Sequence, residues 1–464
     1  MRGINTWSFR PYKPFLFDTG DIYVSRLYPG ERNIGLDWLP IEGEKDYTVH
    51  YRLRGGEKWQ TMPVERCSCV ISGLEDNVDY EIYVSSGEKK SRVRLARTGA
   101  VPGDVVVNYL HPEDETYSFS GRYLCSPSFV RLSSGAIVAS MDLYAGKEPQ
   151  QLSLVYRSED NGKTWEYMCE LYPCFWGKLF THKDKLYMLS ASTEYGDLLI
   201  GCSEDEGRSF SMPTVLLRGT SGFKHKGIHK NPQPVFHHEG RLWCTLEWGS
   251  WTSGAHAAMC MSIDAEDDLL KAENWHFTPP VPYDETWPGT AKGKSPGCIE
   301  GCMVLSPEGF GGREGRTLLN IMRYHIENCT PSFGLALAMR VEGIDEPLQY
   351  ERTIPFPGNH SKFMIKYDEA SGRYYSLVSY LTEEHPEGRN HLALISSPDL
   401  INWEKVRDVF DFRHLPASEV GFQYVDFEIE GDKILYLSRT AWNGAHNFHD
   451  ANYSVFGCIE DFRK

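Results

Sequence analysis

The sequence predicts an all-β protein in which a sandwich of two sheets precedes a larger array of repeated sheets. The chain has 464 residues, enough for two or more hydrophobic cores. Its 42 Gly, 26 Pro and 13% aromatic residues suit many short strands and turns better than helices. One eight-residue turn recurs at least four times, and such recurrence is typical of repeat architectures.

The best copy of this turn is residues 158–165, Ser-Glu-Asp-Asn-Gly-Lys-Thr-Trp. Gly162 can adopt a positive φ without steric cost, and the side chains of Ser158 and Asp160 can bond neighbouring backbone N–H groups. Trp165 can then cover the turn with its apolar face. A near copy and two weaker copies follow at 203–210, 262–275 and 397–403.

The turn resembles the Asp-box of the sialidase superfamily, which joins the third and fourth strands of propeller blades. The resemblance implies that residues 104–464 form a β-propeller and that the Asp residues of the turns are structural. Six blades are predicted, the number found in sialidases, with seven as the alternative because residues 279–295 are hard to place. Residues 105–110 or the C-terminal strand would close the ring. The predicted blade starts lie near Cys125, Phe175, Lys230, Glu300, Lys362 and Tyr424.

Residues 1–100 form the other predicted domain, and residues 100–103, Ala-Val-Pro-Gly, are the predicted linker. Strand-like alternation occurs at 34–38, 47–53 and 80–84. The spacing of Leu74 and Tyr80 resembles the tyrosine corner of immunoglobulin-like sandwiches, and the ending Arg-Thr-Gly extends the resemblance to fibronectin type III domains. It implies a spacer or packing domain, with glycan or partner binding as the alternative.

Composition excludes several classes of partner. A net charge of −16 does not suit a nucleic-acid surface, and no apolar run approaches the 18 residues of a membrane span. The 12 Cys are scattered, as expected of reduced thiols, and residues 1–18 contain no apolar signal-peptide segment. We therefore expect a cytoplasmic protein of bacterial origin that binds a glycan or oligosaccharide, with homo-oligomer formation left open.

The resemblance also implies a catalytic centre. In sialidases a glutamate opens a central blade, an arginine for the substrate carboxylate ends the next strand, and a tyrosine opens the last blade. Glu300, Arg323 and Tyr424 match these positions. Tyrosine, with a pKa of about 10, becomes a nucleophile only when a base takes its proton, and a neutral phenol does not repel an anionic substrate.

The sequence departs from sialidases at the first inner strand. Their Arg-Ile-Pro is replaced by a segment in which Cys125 takes the place of the arginine. Arg122 is three residues away and points to the other strand face, so Arg439 is the better second arginine. Asp142 and Glu148 are the candidate general acids. The replaced arginine belongs to the group that binds the carboxylate of sialic acid in sialidases, and such binding depends on geometry. We therefore expect the substrate to be an acidic or unusual sugar other than sialic acid.

Further polar and aromatic residues are predicted at the propeller funnel. His229, His446 and His449 can act as general acid or base; metal binding is the disfavoured alternative, and no cofactor is expected. Trp176 can stack on a sugar ring. The remaining candidates are inner-strand or loop residues with charged side chains: Lys230, Lys362, Asp426 and Asp450.

Three functions fit these residues. The first is an exo-glycosidase with Glu300 and Tyr424 as base and nucleophile, in which Asp142, His229 and Asp426 are further catalytic candidates. The second is a uronate lyase with His229 or Tyr424 as the base. The third is a glycan-binding propeller without catalysis.

Overall fold

The protein is an all-β molecule in the computed structural model, which describes Trp7 and residues 20–145, 150–220, 225–251, 254–330 and 334–464. Side chains at 254–255, 292–296 and 325–330 are outside this description. The described parts contain strands and two short 3-10 helices, Ala272–Asn274 and Phe310–Gly312. None of the helices found there has the length and apolar character that spanning a membrane requires.

Two sheets form a sandwich near the start of the chain. One has the order β1-β2-β5, with β1 Val24–Gly30, β2 Asn33–Trp38 and β5 Ser68–Ser72. The other contains β3 Tyr47–Leu53, β4 Gln60–Val64, β6 Asp79–Ser86, β7 Lys89–Lys90 and β8 Arg94–Arg97, ordered β4-β3-β6-β7 with β8 also on β6. Alternate residues of these strands share one apolar core, and the backbone N–H of Glu75 donates to the Tyr80 hydroxyl over 2.9 Å.

The rest of the chain forms sheets in sequence order. The first is β10 Tyr123–Arg131, β11 Ile137–Tyr144, β12 Ser153–Ser158 and β13 Glu166–Leu171. The second is β14 Phe175–His182, β15 Lys185–Ala191, β16 Leu198–Ser203 and β17 Thr214–Leu217. A later one is β28 Lys366–Asp368, β29 Arg373–Ser379, β30 His391–Ser397 and β31 Glu404–Asp411. Each is four-stranded and antiparallel.

Between these sheets lies a ten-stranded sheet. Its first part contains β18 Gly227–His229, β19 Phe236–His238, β20 Arg241–Ser250, β21 Gly254–Asp264, β22 His276–Phe277 and β23 Val281–Pro282. Its second part contains β24 Lys292–Leu305, β25 Leu318–Thr330, β26 Leu335–Arg340 and β27 Gln349–Pro355. One parallel pairing, His256 with Gly297, joins the two parts.

The last sheet combines the two ends of this region. It has the order β32-β33-β34-β9, with β32 Gly421–Glu430, β33 Lys433–Ala441, β34 Tyr453–Ile459 and β9 Val105–Tyr109. This sheet contains both segments predicted as alternatives for closure, residues 105–109 and the C-terminal strand. Pairing β9 with β34 covers an edge that would otherwise expose unpaired backbone groups.

The recurring turns form the predicted hydrogen bonds and connect outer strands. In the first copy, between β12 and β13, the Gly162 N–H donates to Ser158 Oγ over 2.8 Å and Trp165 Nε1 donates to the Gly162 carbonyl over 2.9 Å. Asp160 accepts from both the backbone and the hydroxyl of Thr164. Asp205 and Asp399 make the corresponding bonds between β16 and β17 and between β30 and β31. These aspartates therefore stabilise the turns between outer strands.

Each of four inner strands contains a β-bulge at an equivalent position, and these bulges position residues of the candidate site. The register shifts between Cys125 and Ser128, Phe175 and Lys178, Ile299 and Cys302, and Gln423 and Asp426. At each bulge one non-glycine residue has a φ near +50°, an unfavourable conformation that re-aims its side chain. These residues are Ser126, Trp176, Glu300 and Tyr424, with φ of 46°, 53°, 54° and 54°.

Candidate active site

Three of the four bulges contribute residues to the lining of a cavity of about 410 Å³, namely Cys125, Trp176 and Tyr424. Its lining includes Tyr424 and Arg439, which contact each other, and Trp176, Glu194 and His229. A larger depression of about 840 Å³ lies beside the sandwich. The smaller cavity is the better candidate because buried titratable side chains with shifted pKa values concentrate there.

Glu300, Arg323 and Tyr424 are in direct contact, although they are far apart in sequence. The Tyr424 hydroxyl donates to one oxygen of Glu300, and Arg323 donates to the other. Arg323 is oriented by two backbone carbonyls, those of Asn359 at 2.8 Å and His360 at 3.0 Å. The structure thus brings this predicted group together, while the roles of its members stay predictions.

The backbone at Glu300 depends on the glycine that follows. A Cβ at Gly301 would lie 2.1 Å from the side-chain oxygen of Asn320 and 2.6 Å from that of Thr245. The Gly301 N–H also donates to Glu247 over 3.2 Å. Glycine therefore allows the strand carrying Glu300 to approach its neighbour closely enough to hold the bulge.

The three side chains set one another's protonation. Burial raises the pKa of Glu300, but the charges of Arg323 and His229 and the Tyr424 hydrogen bond outweigh it and bring the value to about 2. Burial and the charge of Glu300 raise the pKa of Tyr424 well above its usual value. The resting state is therefore a phenol bonded to a carboxylate, which is the arrangement that a base and a nucleophile need.

Two more arginines lie around Tyr424. The guanidinium carbon of Arg439 lies 5.1 Å from the centre of the Tyr424 ring. Arg389 donates to the His360 carbonyl over 2.8 Å, and its pKa is lowered to about 9, first by burial and then by the nearby charge of Arg323. Arg439 was predicted and Arg389 was not. Arg389 follows Gly388 just before β30, and this position at the start of a strand is the sequence feature that could have identified it as a site residue.

Glu194 is a further cavity residue that the sequence analysis missed. Its carboxyl group accepts a hydrogen bond of 2.9 Å from Trp251 Nε1, and its side chain lines the cavity. Burial raises the pKa of Glu194 to about 7 despite the opposing charge of His229. A carboxyl group that keeps its proton near neutral pH is suited to act as a general acid.

Asp142, one of the two predicted general acids, is buried and has hydrogen bonds to both of its carboxylate oxygens. It is fully buried, and its two oxygens accept from the Ser153 hydroxyl and from the Trp176 backbone N–H, the latter over 2.6 Å. Burial raises its pKa to about 7. Its bonds tie the first bulge region to the second, so the geometry gives Asp142 a supporting position. Glu148, the other candidate, lies outside the described residues.

His229 forms a buried pair with a carboxylate. Its Nδ1 lies 2.8 Å from Glu247, and both side chains are almost fully buried. The imidazole packs 4.5 Å from the Trp176 ring at the cavity wall. Glu247 therefore fixes the orientation of a histidine that borders the cavity.

His446, His449 and Asp450 contact one another in one loop, and His449 lines the cavity. Asp450 bonds both imidazoles, at 2.7 Å to His446 and 2.9 Å to His449. Burial and the charge of Arg439 lower the pKa of His449 to about 4, so this imidazole is neutral at pH 7. Arg439 also donates to the His449 carbonyl, which connects this loop to the arginine side of the cavity.

Two other predicted residues occupy different surroundings. Arg122 is partly exposed and donates to Glu115 over 3.1 Å, and it is not among the described residues that line the cavity. Trp176 occupies the bulge of the second sheet and borders the cavity beside His229.

The remaining predicted charges link the inner strands. Lys178 donates to Asp426 over 2.6 Å, and Asp426 also accepts from the Phe129 N–H over 2.8 Å. Lys230 reaches the Trp176 carbonyl at 3.4 Å, and Lys362 reaches the Val425 carbonyl at 3.5 Å. All of these side chains are buried. The structure therefore gives Asp426, Lys230 and Lys362 contacts that stabilise the assembly of sheets.

Asp426→Asn is expected to lower the free energy of unfolding by about 3–5 kcal/mol, because it leaves the Lys178 ammonium buried without its charge partner. Urea titration measures this change. Glu204→Gln, which removes an exposed ion pair with Lys185, is the control and should change stability by less than about 0.5 kcal/mol. A loss below about 1 kcal/mol for Asp426→Asn would show that the pair is not structural.

Comparison with solved structures identifies the fold of the chain. No known protein family matches the sequence, and no curated protein matches it. The solved structure of the Hadza microbial sialidase Hz136 is similar over 96% of this chain and 94% of its own, with 12% identity and a TM-score of 0.51. The leech intramolecular trans-sialidase, complexed with 2,7-anhydro-Neu5Ac, is similar over 96% and 93%, with 11% identity and a TM-score of 0.50. The chain therefore has a sialidase-like β-propeller fold.

Proposed function

We propose that the protein is a glycoside hydrolase that removes a terminal acidic sugar from a glycan. The observation that carries this proposal is the hydrogen bond from the Tyr424 phenol to the Glu300 carboxylate beside a cavity flanked by arginine. A phenol and a base in contact form an activated nucleophile, and tyrosine nucleophiles are a known departure from the two-carboxylate scheme of glycosidases.

Three residues would share the first step. Glu300 takes the phenolic proton while the Tyr424 oxygen attacks the anomeric carbon, and Glu194 gives its proton to the leaving oxygen as the glycosidic bond breaks. Water then attacks the anomeric carbon of the glycosyl–tyrosine aryl glycoside and breaks its bond to the phenolic oxygen, with Glu194 as the base that accepts a water proton and Glu300 returning its proton to the phenolate. The arginines around the ring stabilise negative charge on the phenolate oxygen.

The arginines also support an acidic substrate. Arg439 is 4% exposed, and within the described structure its Nε has no hydrogen-bond partner. A buried donor without a partner is costly, and a carboxylate is the group that a guanidinium binds best. The anionic group of the sugar would therefore lie against Arg439, with Arg323 and Arg389 nearby.

Arg439→Met is expected to weaken binding of an acidic glycoside by about 2–4 kcal/mol, seen mainly as a raised KM, because it removes one partner of a buried charge pair. Cleavage kinetics with acidic aryl glycosides measure the effect. Arg463→Met, on the exposed surface beside Asp368, is the control for loss of an arginine. An unchanged KM for Arg439→Met would remove the arginine from the substrate site.

A panel of aryl glycosides tests the proposed function. We expect release of the aryl group from sugars that carry a carboxylate, such as uronic acids and 2-keto-3-deoxy acids, and none from galactosides or arabinofuranosides. The resemblance puts Cys125 where sialidases carry an arginine, so we expect faster turnover of a uronide or unusual acid than of an N-acetylneuraminic acid glycoside. Turnover of the neutral sugars alone would contradict the proposal.

A uronate lyase is the second candidate, and the buried His229–Glu247 pair favours it. A histidine oriented by a carboxylate can take the C5 proton of a uronate whose charge an arginine neutralises. Elimination leaves a conjugated double bond that absorbs ultraviolet light, whereas hydrolysis does not. Absorbance during cleavage of a uronate-containing oligosaccharide therefore separates the two reactions. Binding of such oligosaccharides without cleavage would instead indicate a glycan-binding propeller.

The sheet topology supports a proposal for the number of blades and for the domain near the start of the chain. The ten-stranded sheet counts as two blades because one residue pair joins its halves, which gives six blades in total. The three-stranded and five-stranded sheets near the start support the proposal of a fibronectin type III-like domain. The proposed boundaries are residues 1–100 and 104–464.

A further inference from the structure

The cavity has two chemically different sides. One side is cationic because it carries Arg439, which contacts the Tyr424 ring and the His449 carbonyl. The other side carries Trp251, Trp176 and His229, whose rings pack together, and Glu194, which is bonded to Trp251. Arg439 is the one arginine or lysine among the described residues that line the cavity. Among the described residues, a sugar carboxylate therefore finds an arginine partner only on the first side, whereas the second side offers aromatic rings and the Glu194 carboxyl group.

Trp251 is the exposed member of the aromatic side. It is 40% exposed, whereas Trp176 is 7% exposed. Soluble proteins usually bury tryptophan, and an exposed ring at the rim of a cavity is therefore a candidate contact for a ligand.

Trp251 is held in place by hydrogen bonds at two points. Its Nε1 donates to Glu194 over 2.9 Å, and its backbone N–H donates to the Tyr195 hydroxyl over 2.9 Å. The ring also packs 4.8 Å from that of His256. A ring fixed at its edge and at its backbone loses little further freedom when a ligand binds.

We infer that Trp251 is the binding platform for the sugar on the leaving-group side of the scissile bond, and that this sugar is a neutral pyranose. The inference rests on the proposed function. Glu194 must reach the leaving oxygen, and Trp251 is bonded to Glu194, so the ring attached to that oxygen lies beside the indole. Pyranoses present an apolar C–H face that suits an aromatic plane.

Trp251 would then have two separable contributions, stacking and orientation of Glu194. Trp251→Phe keeps an aromatic ring and loses the N–H, whereas Trp251→Ala loses both. Trp59→Ala is the matched control, because Trp59 is a half-buried tryptophan of the sandwich that packs against Arg52.

Saturation-transfer NMR with methyl β-galactopyranoside, methyl β-glucopyranoside and methyl α-mannopyranoside tests the platform without requiring turnover. We expect at least one of these neutral sugars to bind the wild type. Trp251→Ala should weaken that sugar about tenfold, Trp251→Phe should weaken it less, and Trp59→Ala should leave it unchanged. Unchanged binding in Trp251→Ala, or no binding of any of the three sugars to the wild type, overturns the inference.

A kinetic comparison separates this inference from the proposed function. For an acidic glycoside that the protein cleaves, Trp251→Ala should raise KM for a sugar leaving group and have little effect on KM for a methyl leaving group. Absence of cleavage with Trp251-dependent sugar binding would contradict the proposed function and leave Trp251 as a sugar-binding residue. Cleavage with Trp251-independent sugar binding would defeat the platform alone.

Discussion

Tyr424→Phe should reduce kcat for any glycoside that the protein hydrolyses by about 10⁴-fold, comparable to losing the nucleophile of other covalent catalysts. The variant removes one oxygen and keeps the ring, which Arg439 contacts at 5.1 Å. It also leaves Glu300 bonded to Arg323, so the cost in stability should be about 1 kcal/mol. A large loss of activity in a folded protein is therefore expected, measured by steady-state kinetics beside a melting curve.

Tyr144→Phe is the matched control for this variant. Tyr144 lines the same cavity, and Arg439 lies 5.6 Å from its ring, but no carboxylate is placed to accept the proton of its hydroxyl among the described contacts. We expect its kcat to remain within tenfold of the wild-type value. Retention of more than a tenth of the activity in Tyr424→Phe would remove the phenol from the chemistry.

Glu194→Gln should reduce cleavage of poor leaving groups by about 10²–10⁴-fold and affect nitrophenyl glycosides much less. An alkoxide or sugar must be protonated as it departs, whereas nitrophenolate leaves without a proton. The pKa of Glu194 is about 7, so the carboxyl holds its proton below pH 7 and loses it above. Wild-type cleavage of sugar leaving groups should therefore fall as the pH rises through about 7, and this decline should be absent in the variant.

Asp142→Asn distinguishes between the two buried acids, because the pKa of Asp142 is also about 7. Its oxygens are occupied by Ser153 and the Trp176 backbone, so this variant should lose stability and show no dependence on the leaving group. A leaving-group dependence that appeared with Asp142→Asn and not with Glu194→Gln would reverse the assignment of the acid.

The sequence was sufficient for features that depend on local pattern. The turn at 158–165 forms its predicted bonds because Ser, Asp, Gly and Trp satisfy their own backbone. The contact of Glu300, Arg323 and Tyr424 followed from a resemblance that places each at a strand start or end. The three residues come together because the repeated sheets place their strand starts and ends around one cavity.

Other parts of the site depend on non-local geometry. Positive φ at Glu300 and Tyr424 has no sequence signal, since neither residue favours it. The same bulge puts Ser126, and not Cys125, at the equivalent point of the first inner strand. Glu194 and Arg389 lie in connections outside the strands, where periodicity gives no direction, and burial by distant residues sets their pKa values.

The most direct test of the account is to trap the covalent intermediate. The protein would be treated with a fluorinated glycoside of the acidic sugar that the panel identifies, digested and analysed by peptide mass spectrometry. We expect one glycosyl adduct, on the peptide that contains Tyr424 and on its phenolic oxygen, with none in Tyr424→Phe. An adduct on a carboxylate such as Glu194, or continued turnover with no adduct, would contradict the assignment of Tyr424 as the nucleophile.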